Sequence, residues 1–279
     1  MGAVLVNQVA KIEETASKAY SLPFAHRSDD FLKIMPPAAD TEWHSLPFIL
    51  DGITFAARFI GSSKMWGSHR AYLDYVHVVG GKVFATDGKC LVERSVGDCP
   101  DFSILPAQIA QIRAFGDDPS DVNLDNHLML KWPNGNFLVT RFRTFPDLVE
   151  KVTPHFAAHD WNDFVKMDPD WRDQVIGHFS YKLARSTVVG GHNEGRIHFT
   201  PDRIVGGPSD RQPDRQLRIV THAQSDVTFT QMQLLHALKV ADEFKFVHGP
   251  DVSHFLFKAA NVRGVIVLDR PVDPIPVLS

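Results

Sequence analysis

A repeated arrangement of helices constrains this chain more than any other feature of its sequence. Pro47 begins an apolar stretch with helical spacing, and Pro169 begins a second one 122 residues later. A further helix is predicted from Ser103 and again from Thr228, 125 residues on. Short β-rich runs lie between and after the helices. The order β-α-βββ-α-βββ, repeated, predicts two α+β units with antiparallel sheets, which is more typical of a modular scaffold than of an enzyme with one cleft.

The predicted helix starts depend on the residues found there. Pro47 and Pro169 suit the first turn of a helix, where the N–H that proline lacks would be unpaired anyway. Asp168, Ser103 and Thr228 are predicted N-caps, because their side chains can accept hydrogen bonds from the first free N–H groups. The predicted domains are an N-terminal extension with a helix near Val6–Tyr20, a first unit, and a second unit with a C-terminal tail: residues 1–44, 45–154 and 155–279.

The composition is that of an ordinary globular protein. The length of 279 residues accommodates two units of typical domain size, and 44% of the residues are hydrophobic. No run of 18 or more apolar residues is present, so no membrane partner is expected. The N-terminus lacks the apolar core of a signal peptide. Cys90 and Cys99 are the only cysteines and form no CxxC pair, which predicts a cytoplasmic protein without a disulfide framework.

The charge distribution suggests nucleic acid, although the net charge is −4. Residues 47–64, 103–115, 169–185 and 228–240, which contain the four predicted helices, each carry one net positive charge. The rest of the chain therefore carries −8. The alternative, that these are ordinary solvated charges on amphipathic helices, stays open on the sequence alone.

Three segments resemble a known family. Arg70–Leu91 ends in the pattern Ala-Thr-Asp-Gly-x-x-Leu, Phe145-Pro146-Asp147 is followed by Pro154, and the second unit ends in VRGVIVLDRP. In this order they resemble the middle and last domains of the bacterial DNA polymerase III β clamp, within the DNA sliding clamp family, over about residues 45–272. Two departures are that the chain has two such domains where bacterial clamps have three, and that Lys89-Cys90 stands where the family usually has His-Arg.

The resemblance implies two tandem clamp domains, each with two helices on antiparallel sheets, and a ring that encloses double-stranded DNA without reading its sequence. Rings of the family contain six domains with their helices lining the hole, so three copies of this chain would join head to tail as a homotrimer. The candidate DNA-facing residues lie on or beside the predicted helices: Arg58, Lys64, Arg113, Arg172, Lys182, Arg185 and Lys239.

The resemblance also implies a pocket for a short hydrophobic motif of a DNA polymerase or clamp loader. The matching residues come from a turn, a linker and the last strand: Leu73, Thr86, Gly88, Lys89, Cys90, Leu91, Pro154, Val267 and Leu268. The alternative is that Leu73, Leu91 and Val267 are core strand residues and residues 86–89 form a simple hairpin turn.

No catalytic arrangement is evident. The 14 histidines, among them His44, His69, His192, His248 and His254, lack metal-ligand spacing, and no phosphate-binding loop or nucleophile motif is present. We therefore predict a sliding clamp, a polymerase processivity factor that is not an enzyme and has no cofactor or metal. The alternatives are a metal-dependent hydrolase of two α+β domains and a clamp-fold DNA- or polymerase-binding protein that closes no ring. A two-domain clamp suggests a bacteriophage. The predicted location is the cytoplasm, at the nucleoid, or the host cytoplasm for a viral protein.

Overall fold

The computed structural model describes residues 42–61, 68–181, 195–207 and 214–269. The predicted helix near Val6–Tyr20, the candidate DNA-facing residues Lys64, Lys182 and Arg185, and the tail from Arg270 onward lie outside these ranges. No helix within them is long and apolar enough to cross a membrane.

The described residues form five α-helices and sixteen strands. The helices are α1 Leu50–Ala56, α2 Pro106–Arg113, α3 Leu148–Ala157, α4 Pro169–Phe179 and α5 Gln231–Leu238, with 3-10 segments at Ala57–Phe59 and Ser68–Asp74. The strands of the first half are β1 His44–Ser45, β2 Val76–Val79, β3 Lys82–Thr86, β4 Cys90–Ser95, β5 Phe102–Ile104, β6 Asp121–Asn123, β7 Leu128–Lys131 and β8 Phe137–Thr140. Those of the second half are β9 Val165–Lys166, β10 Arg196–Phe199, β11 Arg203–Gly206, β12 Arg215–Arg218, β13 Val227–Thr230, β14 Glu243–His248, β15 Ser253–Ala259 and β16 Val262–Leu268.

The two halves have the same topology. In the first half the strands are ordered β5-β2-β3-β4 and β1-β6-β7-β8, and in the second β13-β10-β11-β12 and β9-β14-β15-β16. Antiparallel pairing of β4 with β16 joins one group from each half into an eight-stranded sheet. The repeat and the α+β antiparallel architecture are thus confirmed. The predicted division between residues 154 and 155 lies inside α3, and it stays a prediction.

The predicted order of elements lacked one strand in each half. Four strands, not three, lie between the first and second helices of each half, because β5 and β13 come directly before α2 and α5. Ser103 and Thr228 are therefore strand residues, and the N-cap positions are Leu105 and Thr230. The predicted N-caps at Ser103 and Thr228 were wrong.

The first helices of the two halves start for different reasons. At α4 the prediction was right: Pro169 is the first helical residue and the Asp168 carboxylate accepts a hydrogen bond from the N–H of Asp170 at 2.9 Å. In the first half the helix begins at Leu50 rather than Pro47. Asp118 Oδ1 accepts from the N–H groups of Ile49 at 2.9 Å and Leu50 at 2.6 Å, so a carboxylate distant in sequence sets this start.

The helices other than α3 form one layer against the sheets. Helix α1 packs against α2, α4 packs against α5, and the 3-10 segment Ala57–Phe59 meets α5 at the boundary between the halves. Their buried faces join a core rich in phenylalanine. Phe179, Phe199, Phe229 and Phe255 are among its fully buried side chains. The exposed faces of these helices therefore form one surface that runs across both halves.

Candidate nucleic-acid and peptide-binding surfaces

The helical layer carries the described DNA-facing candidates. Arg58, Arg113 and Lys239 are exposed at the ends of their helical segments, and Arg172 is half-buried on α4. Of these four, Arg172 alone has an ion-pair partner among the described residues, Asp173 at 3.4 Å. Three long cationic side chains thus extend into solvent from this surface.

The net charge of this layer differs from the prediction. Within the observed bounds, Arg58, Arg113 and Arg172 are matched by three aspartates, Asp51, Asp170 and Asp173, so the segments are neutral together. Lys239 follows as the C-cap of α5. The predicted excess depended on windows wider than the helices and on Lys64, Lys182 and Arg185, which lie beyond the described ranges.

A basic group lies where the two halves meet in this layer. His236 Nδ1 donates to the backbone oxygen of Arg58 at 3.1 Å, and its ring packs edge-on against Phe59 at 5.7 Å. Burial, and then the charges of Arg58 and Lys239, lower the pKa of His236. The sequence analysis missed His236, whose place beside Arg58 depends on a contact across 178 residues.

The candidate peptide pocket lies on the outer face of the eight-stranded sheet, where β4 pairs with β16. Directly opposed residues of antiparallel strands share a face, so the register defines rows across the sheet. One row contains Leu91, Val265, Leu256 and Lys245. The next contains Lys89, Val267, His254 and Val247, with the Val267 N–H donating to the Lys89 oxygen at 2.7 Å. We call these two rows the junction face.

Helix α3 covers part of the junction face. Phe156 of α3 packs with Leu91, Leu256 and Val265 in a small apolar cluster that is separate from the main core. Trp161 fixes the end of the helix by donating from Nε1 to the Phe156 oxygen at 2.8 Å. The row of Val267 and His254 is half-buried and lies at the uncovered side of this cluster. We call the half-buried surface between this row and α3 the groove, and take it as the candidate peptide site.

The hairpin loop at the rim of this groove is held firmly. Asp87 Oδ1 accepts from the N–H groups of Lys89 at 2.8 Å and Cys90 at 2.6 Å, and Thr86 Oγ1 accepts from Gly88 N–H at 3.1 Å. Asp87 Oδ2 also accepts from Gln233 Nε2 of α5 at 2.6 Å, and Lys89 Nζ pairs with Asp269 at 2.8 Å. Residues 86–89 are thus a hairpin turn, as the alternative had it, but one tied to both halves of the molecule.

The structure brings some of the predicted pocket residues together and turns others away. Lys89, Leu91 and Val267 share the junction face; Gly88 and Pro154 are exposed, and Thr86 is 9% exposed. The remaining three are Leu73, Cys90 and Leu268, which are at most 2% exposed. Cys90 and Leu268 belong to the main core, because alternate residues of a strand point to opposite faces.

The sequence analysis did not recognise that His155, His159 and His254 form a group beside the groove. His155 and His159 are four residues apart on α3 and just after it, and the ring of His159 meets that of His254 at 4.7 Å. The four-residue spacing in the sequence was a usable signal, since it places both side chains on one side of a helix. The contact with His254 depends on the fold.

Metal-ligating groups and serine–histidine pairs among the described residues bear on the hydrolase alternative. No group of three His, Cys, Asp or Glu side chains among them could hold a metal ion. His77 bonds Ser103 Oγ at 2.8 Å, but both residues are at most 1% exposed. Ser225 lies 2.9 Å from His248 Nδ1, yet His248 Nε2 accepts from the N–H of Gln224. The Nδ1 of neutral His248 therefore carries the proton and cannot take one from Ser225.

Solved structures with the same arrangement of elements are DNA sliding clamps. A sliding clamp from Pseudomonas aeruginosa matches with a TM-score of 0.58 and 17% identity, over 88% of this chain and 70% of the clamp. The Helicobacter pylori β clamp bound to a DNA ligase peptide matches with a TM-score of 0.56 and 14% identity, over 88% and 70%. The Bacillus subtilis clamp matches with a TM-score of 0.54 and 14% identity, over 87% and 68%. This chain has the sliding-clamp fold.

The sequence itself matches no protein-family model and no curated protein. The resemblance seen in the sequence motifs is nevertheless confirmed at the level of the fold. This chain spans about 70% of the length of these clamps.

Proposed function

We propose that this protein is a sliding clamp, a non-enzymatic processivity factor that encircles duplex DNA as a homotrimer and tethers the polymerase. The observation that carries the proposal is that two strands of the internal repeat lie at sheet edges, whereas the strands equivalent to them pair with each other. Strand β4 pairs with β16 inside the chain, and their counterparts in the other sheets are β12 and β8.

Strands β8 and β12 each lie at the end of their sheet in the described part of the chain. A free edge exposes unpaired N–H and C=O groups, which favours pairing with another strand. Strand β8 corresponds to β16, and β12 corresponds to β4. Strand β8 of one copy could therefore pair with β12 of the next copy in the way that β16 pairs with β4 within the chain. Copies joined in this way repeat the internal junction, head to tail, and a rotation that closes gives a ring.

Three copies supply the six domains that the clamp resemblance implies for one ring. The helical layer would then face the enclosed duplex, with Arg58, Arg113 and Lys239 reaching toward phosphates. Arg172 and, outside the described ranges, Lys64, Lys182 and Arg185 are further candidates. A nearly neutral surface with a few cations suits sliding, because weak contacts to phosphate carry no sequence information and are readily exchanged.

The junction face would bind the short hydrophobic motifs of a polymerase and a clamp loader. Its support is the half-buried apolar pair Val247 and Val267 beside a hairpin loop held by hydrogen bonds, since apolar contacts with a few fixed polar groups orient a bound peptide. The Helicobacter pylori clamp holds a DNA ligase peptide, and another Pseudomonas aeruginosa clamp holds griselimycin. The fold is thus known to bind short ligands.

Solution mass measured by light scattering, at several micromolar and after tenfold dilution, tests the ring. A species near three times 31.3 kDa is expected. A monomer at every concentration would contradict the self-closing ring and favour a clamp-fold protein that closes no ring.

The topological link to DNA needs a separate measurement. Protein loaded on a nicked circular plasmid should remain bound in high salt and should be lost when a restriction enzyme linearises the plasmid, because a ring slides off free ends. Equal retention on circular and linear DNA would contradict encirclement. If the protein is a trimer but is retained on neither circular nor linear DNA, loading needs a separate factor.

A further inference from the structure

The histidine group beside the groove is formed by two elements of different origin. His155 and His159 come from the connecting helix α3 and its C-terminal end, whereas His254 is on β15 in the same row as Val267 and Lys89. The rings of His159 and His254 meet at 61° with their centroids 4.7 Å apart. His155 is exposed and the other two are half-buried, so the group is open to solvent beside an apolar groove.

The charges acting on this group are of one sign. Burial and then the charge of His155 lower the pKa of His159, and burial followed by His159 and His155 lowers the pKa of His254. The flanking positions in the row, Val247 and Val267, are apolar. Beyond Val267, Lys89 is engaged by Asp269 at 2.8 Å.

The nearest acidic side chain in sequence is committed elsewhere. Asp160 follows His159 directly, but its carboxylate accepts from Asn162 Nδ2 at 2.7 Å and from Lys245 Nζ at 3.3 Å. Thus a group of three titratable rings beside α3 has no carboxylate among the charges that shift the pKa values of His159 and His254. An anion placed there would favour the protonated forms, because an opposite charge nearby raises a histidine pKa.

We propose that His155, His159 and His254 form a subsite for an acidic residue of the partner peptide, and that binding of this residue is coupled to proton uptake. The inference rests on the proposed function, since the apolar part of the same peptide would occupy the groove at Val267 and Val247. The partner is thus a hydrophobic motif with a neighbouring Asp or Glu. Its affinity rises as the pH falls toward 6.

Two synthetic peptides test the subsite: acetyl-Gly-Glu-Leu-Leu-Phe-Gly-amide and the same peptide with Gln in place of Glu. Binding to the full chain is measured by calorimetry at pH 6 and pH 8, in two buffers of different ionisation enthalpy. The Glu peptide should bind about tenfold more tightly at pH 6, because uptake of one proton changes a binding constant by up to tenfold per pH unit. It should also show a buffer-dependent enthalpy, whereas the Gln peptide should show neither effect.

The variant His254→Gln should remove the difference in affinity of the Glu peptide between pH 6 and pH 8, together with its buffer-dependent enthalpy. His44→Gln, an exposed histidine on β1, is the control and should behave like the unmodified chain. Equal binding of both peptides without proton uptake would overturn the subsite while leaving the peptide groove intact. Binding of neither peptide would overturn the subsite and the peptide-tethering part of the proposed function together.

Discussion

At the scale of single residues, Gly264 shows how closely the sheet and core are packed. Gly264 lies opposite Phe257 and Val92 in the eight-stranded sheet, and a Cβ at this position would overlap the buried Phe257 ring. We expect Gly264→Ala to lower the free energy of unfolding by ~1–3 kcal/mol, the usual range for overpacking. Gly177→Ala on α4, where a Cβ meets nothing, should instead raise it by about 0.5–1 kcal/mol. Urea unfolding of both variants measures the difference, and equal values would contradict this packing.

His77 makes the stability depend on pH. It is fully buried between Ser103 and Tyr72, and burial lowers its pKa from 6.5 to about 4. Between these values the unfolded chain binds a proton that the folded chain does not. The stability contributed by neutral His77 is therefore present above pH 6.5 and is lost as the pH falls toward 4, by about 3 kcal/mol. Urea unfolding at pH 7 and pH 5 should show a smaller loss for His77→Gln than for the unmodified chain; equal losses would exclude His77 as the cause.

Individual residues also mark where prediction from the sequence ends. The turn residues Thr86, Gly88 and Lys89 were found by pattern, because a hairpin loop is local. Cys90 and Leu268 were assigned to the pocket from a motif, but strand alternation points them into the core. His236 and His254 acquire their neighbours only through contacts between elements distant in the sequence.

At the scale of elements, α4 and α5 offer a matched test of capping. Asp168 caps α4 through its carboxylate, whereas Thr230 occupies the same position of α5 without a side-chain cap bond. We expect Asp168→Ala to cost about 1 kcal/mol of stability, and Asp168→Ser to cost less because serine can also cap. Thr230→Ala should cost less than Asp168→Ala. Thermal unfolding of the three variants measures the order, and equal effects of the two alanine variants would mean that the cap bond stabilises nothing.

The four helices of the repeat were easier to predict than the short strands before the second ones, whereas α3 was not predicted. Strands β5 and β13 have three and four residues, too few for an alternating pattern to separate them from the first turn of the following helix. The start of α1 was misplaced because Asp118 acts on it from 68 residues away. Local patterns therefore predicted the type of most elements, while tertiary contacts set their limits.

At the scale of the whole molecule, the internal repeat was predictable but the sheet edges were not. Two units of similar length follow from the spacing of the helices, whereas the pairing of β4 with β16 is visible only in the fold. If copies pair in the same way, the repeat predicts which residues of β8 and β12 lie opposite each other. Arg143–Ser103 and Asp269–Thr228 are equivalent bridges, so β8 corresponds to β16. The pairs Lys82–Ser95 and Arg203–Arg218 likewise relate β4 to β12.

This register predicts which residues would meet in the proposed ring. Glu93 faces Arg263 within the chain, and the equivalent residues are Gln216 on β12 and Phe137 on β8. The double variant Phe137→Cys with Gln216→Cys should therefore be cross-linked between copies by a short bis-maleimide, since the native cysteines are buried.

Denaturing electrophoresis should show covalent dimers and trimers and nothing larger, because a closed ring has no free ends after three joints. Each single variant should remain monomeric, as should Phe137→Cys combined with Arg203→Cys, whose β11 position lies inside its sheet. Bands beyond the trimer would show that the edges pair in an open filament. Absence of cross-linking in the double variant would show that β8 and β12 do not meet, and the ring proposal would then lose its structural basis.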